Sequence, residues 1–303
     1  MKLIIDTDPG IDDAMAIAYA HAAPDIDLLG LTTVFGNTHV AQSSRNARYL
    51  LNLLGAELPV ATGAALPYGA ETYRPSAYVH GDEGFGHFTD VPQIGSDHHL
   101  PAAAYLVEMA RAHRGDLSVC AIGPLTNIAD AIRLDSEFLG NLAQLVIMGG
   151  AVFCPGNITA HAEANIYHDP QAAAEVLNAE GNIVLVGLDV TLQTLYQAQD
   201  FDALAQVSKA TGGFLQEISR FYLEFYQNVA GEDGCGLHDS TAVIACTHPH
   251  LFEMTETGVQ VDVIGDAVGA TRAVDVGAKV RVCRDIDGPA VVDLFTAQVA
   301  SLP

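Results

Sequence analysis

The sequence predicts an α/β fold: a single large domain, residues 1–303, with a mostly parallel, Rossmann-like open sheet flanked by helices. Three observations predict it. Short apolar, strand-like runs alternate with segments of helical spacing over most of the 303 residues, the pattern of a parallel sheet covered on both faces. Half of the residues are hydrophobic, enough to bury a sizeable core. No repeat, low-complexity tract or linker divides the chain. A ligand site in such a sheet lies beyond the carboxyl ends of the strands.

Leu3-Ile4-Ile5 reads as the first strand, stopped by Asp6-Thr7-Asp8-Pro9-Gly10, where Pro and Gly make a turn. A helix follows from Asp12 to about His21, then a strand over 26–34. Ala41, Ala47, Leu50, Leu51 and Leu54 keep near-helical spacing over 40–54, and Pro59-Val60-Ala61 reads as a short strand. Residues 63–98 are rich in Gly, Pro, Asp and His and lack periodicity; so long an irregular stretch inside a domain is usually a functional loop. A helix near 100–113, a strand near 117–122, a helix near 126–134 and a strand from Leu142 to Met148 come next. A second irregular stretch, 149–168, leads to a helix from Pro170, since proline suits a first helical turn. Ile183 to Leu188 is a strand. The rest reads as mainly helical to about 248, as short strands to about 283, and as a closing helix near 289–300.

A net charge of −24, from 37 acidic and 13 basic residues, repels phosphate backbones and excludes a nucleic-acid polymer as partner. It is compatible with a small neutral ligand or a bound cation, and it keeps the protein dispersed. No apolar run reaches the roughly 18–20 residues that cross a bilayer, so no membrane partner is expected. Residues 1–5 carry no long apolar core behind Lys2, which argues against a secretory leader. The five cysteines (Cys120, Cys154, Cys235, Cys246 and Cys283) are widely spaced without a C-x-x-C pair, as in a reduced, cytoplasmic protein.

Asp6, Asp8, Asp12 and Asp13 crowd into eight residues at the end of the first strand. Adjacent carboxylates repel, so the grouping calls for a hard cation, Ca²⁺ or Mg²⁺. A helix N-cap with acid in the first turn explains one or two of the four. Asp6-Thr7-Asp8 also resembles the D-x-D of haloacid-dehalogenase-type phosphatases. However, Pro9 to Asp13 does not continue that motif, and Lys2, Lys209 and Lys279 stand in no phosphate-holding context.

Asp6-Thr7-Asp8-Pro9-Gly10-Ile11-Asp12-Asp13-Ala14 resembles the N-terminal signature of the inosine–uridine-preferring nucleoside hydrolases. Four further segments, in the expected order, are similar to the same family: Val34 to Thr38, Gly123 to Ala129, Asn157 to Pro170, and Leu237-His238-Asp239. The resemblance spans nearly the whole chain. It implies a ribonucleoside hydrolase that cleaves the N-glycosidic bond of purine or pyrimidine ribonucleosides with calcium-activated water, in nucleoside salvage. It also implies a small-molecule ribonucleoside as partner and a homo-oligomer, a dimer or tetramer.

Carried over by match, the resemblance gives calcium to Asp8, Asp13, Asp239 and the backbone carbonyl of Ile122, with Asp8 also as general base. It gives ribose to Asp12, Asn37, Asn157, Glu163 and Asn165. His80 and Met148 fall near the base pocket, Tyr222 and Tyr226 around the base, and His238 is the acid to the leaving base. Departures exist. Ala164 stands where members often carry an aromatic residue, the 149–157 loop is one residue longer, and the 229–236 loop has its own sequence. Base preference therefore stays open. A non-catalytic nucleoside or pentose sensor is the competing class, but the full set of ligands and the base argues for catalysis.

The residue types suit the reaction. Departure of the base leaves an oxocarbenium-like ribose, which acidic groups stabilise. A cation lowers the pKa of water, a carboxylate takes its proton, and a histidine titrates in the range for protonating the base. Spacing at 163 and 165 lets both side chains point one way if the segment is extended. Phe221, Tyr222, Phe225 and Tyr226 have helical spacing, for which core packing is the default. His87, His161 and His168 read as bystanders in the site loops.

Overall fold

The computed structural model describes residues 1–229 and 231–303, so Ala230 of the 229–236 loop lies outside the described residues. The first half runs β1 (Lys2–Thr7), α1 (Ile11–Ala22), β2 (Asp27–Thr33), α2 (Val40–Leu53), β3 (Val60–Thr62), α3 (Ala77–His80), α4 (Ala102–Ala112), β4 (Leu117–Ala121), α5 (Thr126–Leu134), α6 (Phe138–Asn141) and β5 (Gln144–Met148). Then come α7 (Ala164–His168), α8 (Pro170–Leu177), β6 (Ile183–Val186), α9 (Leu188–Thr191), β7 (Leu195–Tyr196), α10 (Ala198–Val207) and α11 (Thr211–Val229). The chain closes with β8 (Cys235–Gly236), α12 (His238–Thr247), β9 (Phe252–Val261), β10 (Thr271–Val274), β11 (Val280–Ile286) and α13 (Gly288–Val299).

Among the described residues, nine strands form one sheet in the order β10-β9-β11-β6-β5-β4-β1-β2-β3. From β11 to β3 every pairing is parallel, and only β9 runs antiparallel to its neighbours β10 and β11. The expected mostly parallel sheet is therefore present, with an antiparallel edge. β1 lies between β2 and β4, with helices on both faces, which is why its apolar run does not alternate with polar residues.

One core layer holds α1, α12 and α13 and parts of α2 and α11 against one face. The other holds α4, α5 and α8 against the opposite face. Ten consecutive residues of α1, Ile11 to Ala20, are buried. Ala14, Ala16, Ala18 and Ala20 let neighbouring elements approach this helix on all sides. Its first turn, with Asp12 and Asp13, is thus locked at the carboxyl edge of the sheet.

The structure corrects several element readings. The segment read as helical to 248 contains a small antiparallel ribbon, β7 with β8. Strands of two residues carry no periodicity to detect. Ile183 to Leu188 is a strand only to Val186, because Leu188 already opens α9. The irregular stretches 63–98 and 149–168 contain the short helices α3 and α7, each little more than one turn.

Candidate active site

Asp8 follows β1 directly and is fully buried. Its Oδ2 accepts the Asn37 backbone N–H at 2.7 Å, while its Oδ1 is buried without a partner among the described residues. A Cβ on Gly36 would lie 1.8 Å from Asp8 Oδ2, and one on Gly123 2.4 Å from Oδ1. Glycine at both positions therefore lets two backbones close on this carboxylate. Asp13 accepts four hydrogen bonds: Thr7 Oγ1 and the Asp8 N–H on Oδ1, and the Gly10 N–H and Asn37 Nδ2 on Oδ2.

Asp12, Asp13 and Asp239 each present a carboxylate oxygen within 4.8 Å of the others, an arrangement that can hold a metal ion. Asp239, in the first turn of α12, joins them across the sheet edge. Asp12, assigned to ribose from the sequence, stands in this tightest group, and Asp8 lies outside it. Burial raises the pKa of Asp12 and of Asp13 to about 6. Burial, and then the neighbouring carboxylates, push Asp8 and Asp239 well above the usual range. Asp12 Oδ1 is also buried without a partner. Orphaned oxygens among crowded carboxylates fit a hard cation that accepts many oxygen ligands.

A pocket of about 290 Å³ opens beside this cluster. Asp12, Asn37, His80, Ile122, Met148, Asn157, Glu163, Asn165, Tyr222, Tyr226, His238 and Asp239 all line it, while Asp8 and Asp13 lie beneath its floor. Glu163 is extended, but the chain turns helical directly after it, so Asn165 stands in α7 rather than on a continued strand. Glu163 caps α7, accepting the N–H groups of Asn165 and Ile166, and it also accepts that of Gly150. Burial lifts its pKa to about 7. Asn165 Nδ2 donates to the carbonyls of Ile122 at 3.0 Å and Met148 at 3.2 Å. Asn157 is exposed at the mouth, its Oδ1 accepting the Ala164 N–H.

At the other end Tyr222 donates to Asp12 Oδ2 at 3.2 Å, and its ring lies 5.4 Å from that of His80. His80 Nδ1 accepts the Ile11 N–H, so Nε2 carries the ring proton. His238 lies between Tyr226 Oη, 2.5 Å from Nε2, and Thr191 Oγ1, 2.7 Å from Nδ1. Burial lowers the pKa of His80 and of His238 to about 4, so both are neutral at pH 7. Tyr78, Leu192 and Val229 form an exposed apolar rim.

Residues 3–293 match the family model described as inosine-uridine preferring nucleoside hydrolase. The chain belongs to this family. It is similar to the probable uridine nucleosidase 2 of Arabidopsis thaliana, 38% identical over 97% of this chain and 96% of its relative. It is also similar to the non-specific ribonucleoside hydrolase RihC of Salmonella schwarzengrund, 36% identical over 95% of this chain and 94% of that protein. The solved purine-preferring ribonucleoside hydrolase from Gardnerella vaginalis superposes with a TM-score of 0.95 at 32% identity, covering 99% of this chain and 98% of the other. The protein is a ribonucleoside hydrolase, an enzyme that cleaves N-glycosidic bonds.

In this hydrolase the stripe on α11 divides: Tyr222 and Tyr226 are buried in the pocket wall, while Phe221 packs outside it against His87. His168 does not line this pocket; its Nε2 lies 3.5 Å from Ser76 Oγ. It lines an adjoining cavity of about 500 Å³ with Tyr73 and Tyr167. Thr191 and Asn46, both fully buried and hydrogen-bonded to site segments, escaped the sequence reading. Neither belongs to a motif, so only the fold could find them. Among the described residues no helix is long and apolar enough to cross a membrane.

Proposed function

We propose that the hydrolase requires calcium and acts on both purine and pyrimidine ribonucleosides. One observation carries this reading: five buried carboxylates, Asp8, Asp12, Asp13, Glu163 and Asp239, surround one pocket end that no Lys or Arg lines among the described residues. Asp8, Asp13, Asp239 and the Ile122 carbonyl would hold the ion, with Asp12 between ion and ribose. Bound calcium would orient the attacking water, lower its pKa and take ribose hydroxyls. Asp8 Oδ1, without a donor among the described residues, would take a proton from the attacking water. Asn37, Asn157, Glu163 and Asn165 hold ribose, and the acidic wall stabilises positive charge as the glycosidic bond breaks.

Tyr226 Oη at His238 Nε2, with Thr191 at Nδ1, forms a hydrogen-bonded pair that would pass a proton to the leaving base and regain it from solvent after the base departs. The rim of Tyr78, Leu192 and Val229 supports broad base acceptance, because apolar contacts tolerate both ring sizes. Similar proteins named for uridine, for purines and for no single base agree with such latitude. Free thiols at all five cysteines support a cytoplasmic location. The family resemblance supports a homo-oligomer. Light scattering tests the latter, and a monomer refutes it. The main test is hydrolysis of uridine and inosine by thoroughly chelated protein, followed by calcium titration. Full turnover without metal overturns the assignment.

A further inference from the structure

The geometry points to Asn46 as a positioning residue that locks the His80 loop onto the aspartate turn; we infer that its side chain sets where His80 stands over the pocket. Asn46 lies on α2, fully buried, and does not line the pocket. Its Nδ2 donates to two backbone carbonyls from segments far apart in sequence, Pro9 at 2.9 Å and Glu83 at 2.7 Å. Its Oδ1 accepts Gln42 Nε2 at 2.9 Å, which fixes the orientation of the amide. One side chain thus ties the turn that carries Asp8, Asp12 and Asp13 to the loop that follows His80.

The loop is built for this contact. Gly86 N–H donates to the His80 carbonyl at 2.7 Å, closing residues 80–86 into a ring. Phe85 anchors the ring in the core between Tyr49 and Phe214. Gly84, at φ +87°, presses so close that a Cβ there would lie 2.8 Å from each of Asn46 Nδ2, the Pro9 carbonyl and Thr38. The ring delivers the His80 Nδ1 to the Ile11 N–H at 3.2 Å, one residue before Asp12. Without Asn46, the buried Pro9 carbonyl and the part-buried Glu83 carbonyl lose this donor, and the ring keeps its core anchor but loses its register on the turn. Small displacements of a group at the reacting centre cost rate steeply.

This inference rests on the reading of His80 as a pocket residue, so the test separates the two. Asn46→Ala and Gly84→Ala attack the contact from opposite sides. Each is expected to lower kcat/KM for uridine about 10- to 100-fold in calcium-loaded enzyme. In a His80→Ala background the same changes should cost less than about threefold, because residues acting through one another are not additive. Equal losses in both backgrounds overturn the inference. If His80→Ala alone is fully active, the reading of His80 fails, and amide hydrogen exchange decides the role of Asn46. Asn46→Ala should then speed exchange over residues 80–88 while the β4 and β5 amides stay protected. Unchanged exchange in 80–88 refutes the lock, and so does uniform loss of protection across the sheet.

Discussion

The two ends of the pocket are built differently. At the aspartate end, Asp13 accepts four hydrogen bonds, two of them from the backbone turn beside it, and Asp8 is clasped between Gly36 and Gly123. At the base end, His238 is held by two side chains, Tyr226 and Thr191, and the surrounding rim is exposed, Val229 to 70%. The first end is over-determined by the edge of the sheet. The second depends on side chains from α9, α11 and α12 and leaves room. Under the proposed assignment, the difference teaches where this enzyme can vary: ribose and water, common to every substrate, would meet the rigid end, and the base, which differs, the looser wall.

Four measurements break or sharpen this contrast. The largest effect is expected for Asp8→Asn, which keeps a carbonyl oxygen but loses the charge and the proton acceptor. The loss in kcat should exceed about 10⁴-fold, beyond an acid–base group alone, and should be alike on uridine, inosine and nitrophenyl riboside. A loss that varies with the leaving group would place Asp8 at the wrong end. Next, 2′-deoxyuridine should fall roughly 10⁴-fold below uridine in kcat/KM, because a site built around a hydroxyl rejects its absence. Comparable values would show that the aspartate end does not read ribose.

His238→Ala should be smaller and selective. On inosine, kcat is expected to fall roughly 10²–10³-fold, within the range for a general acid. Nitrophenyl riboside, whose leaving group needs no proton, should be cleaved almost normally. An equal loss on both substrates would make His238 a brace for Asp239 instead. The smallest effect is expected at the rim. Leu192→Ala or Val229→Ala should change the uridine-to-inosine ratio of kcat/KM by about threefold to tenfold with little change in stability, as for a few methylene groups at a surface. A uniform loss on both nucleosides would mean that the rim closes the site without selecting the base.

The aspartate end was largely legible in the sequence because its parts are neighbours in the chain. Asp8 ends a strand, Pro9 and Gly10 turn, and Asp12 and Asp13 open a helix. The glycines at 36 and 123 acquire a reason only in three dimensions, where they make room for Asp8. Glu163 and Asn165 both line the pocket, but the extended segment on which their spacing would align them gives way to a helix after Glu163. A five-residue helix capped by glutamate is outside the usual N-cap preferences and too short for periodicity. Thr191 and Asn46 were invisible because each acts on a residue dozens of positions away.

The sequence by itself determined the alternation of strand and helix, the acidic turn after β1, and the family to which the chain belongs, since these depend on near neighbours and local spacing. Tertiary structure alone decided which distant groups share the pocket. The sheet order sets β1 between β2 and β4, so that Asn37 meets Asp8 and Asp13. Packing of α11 and α12 brings Tyr226 to His238, and burial makes that histidine neutral. Protonation state and donor partners depend on what the folded chain excludes from water, a property that no local stretch of residues carries.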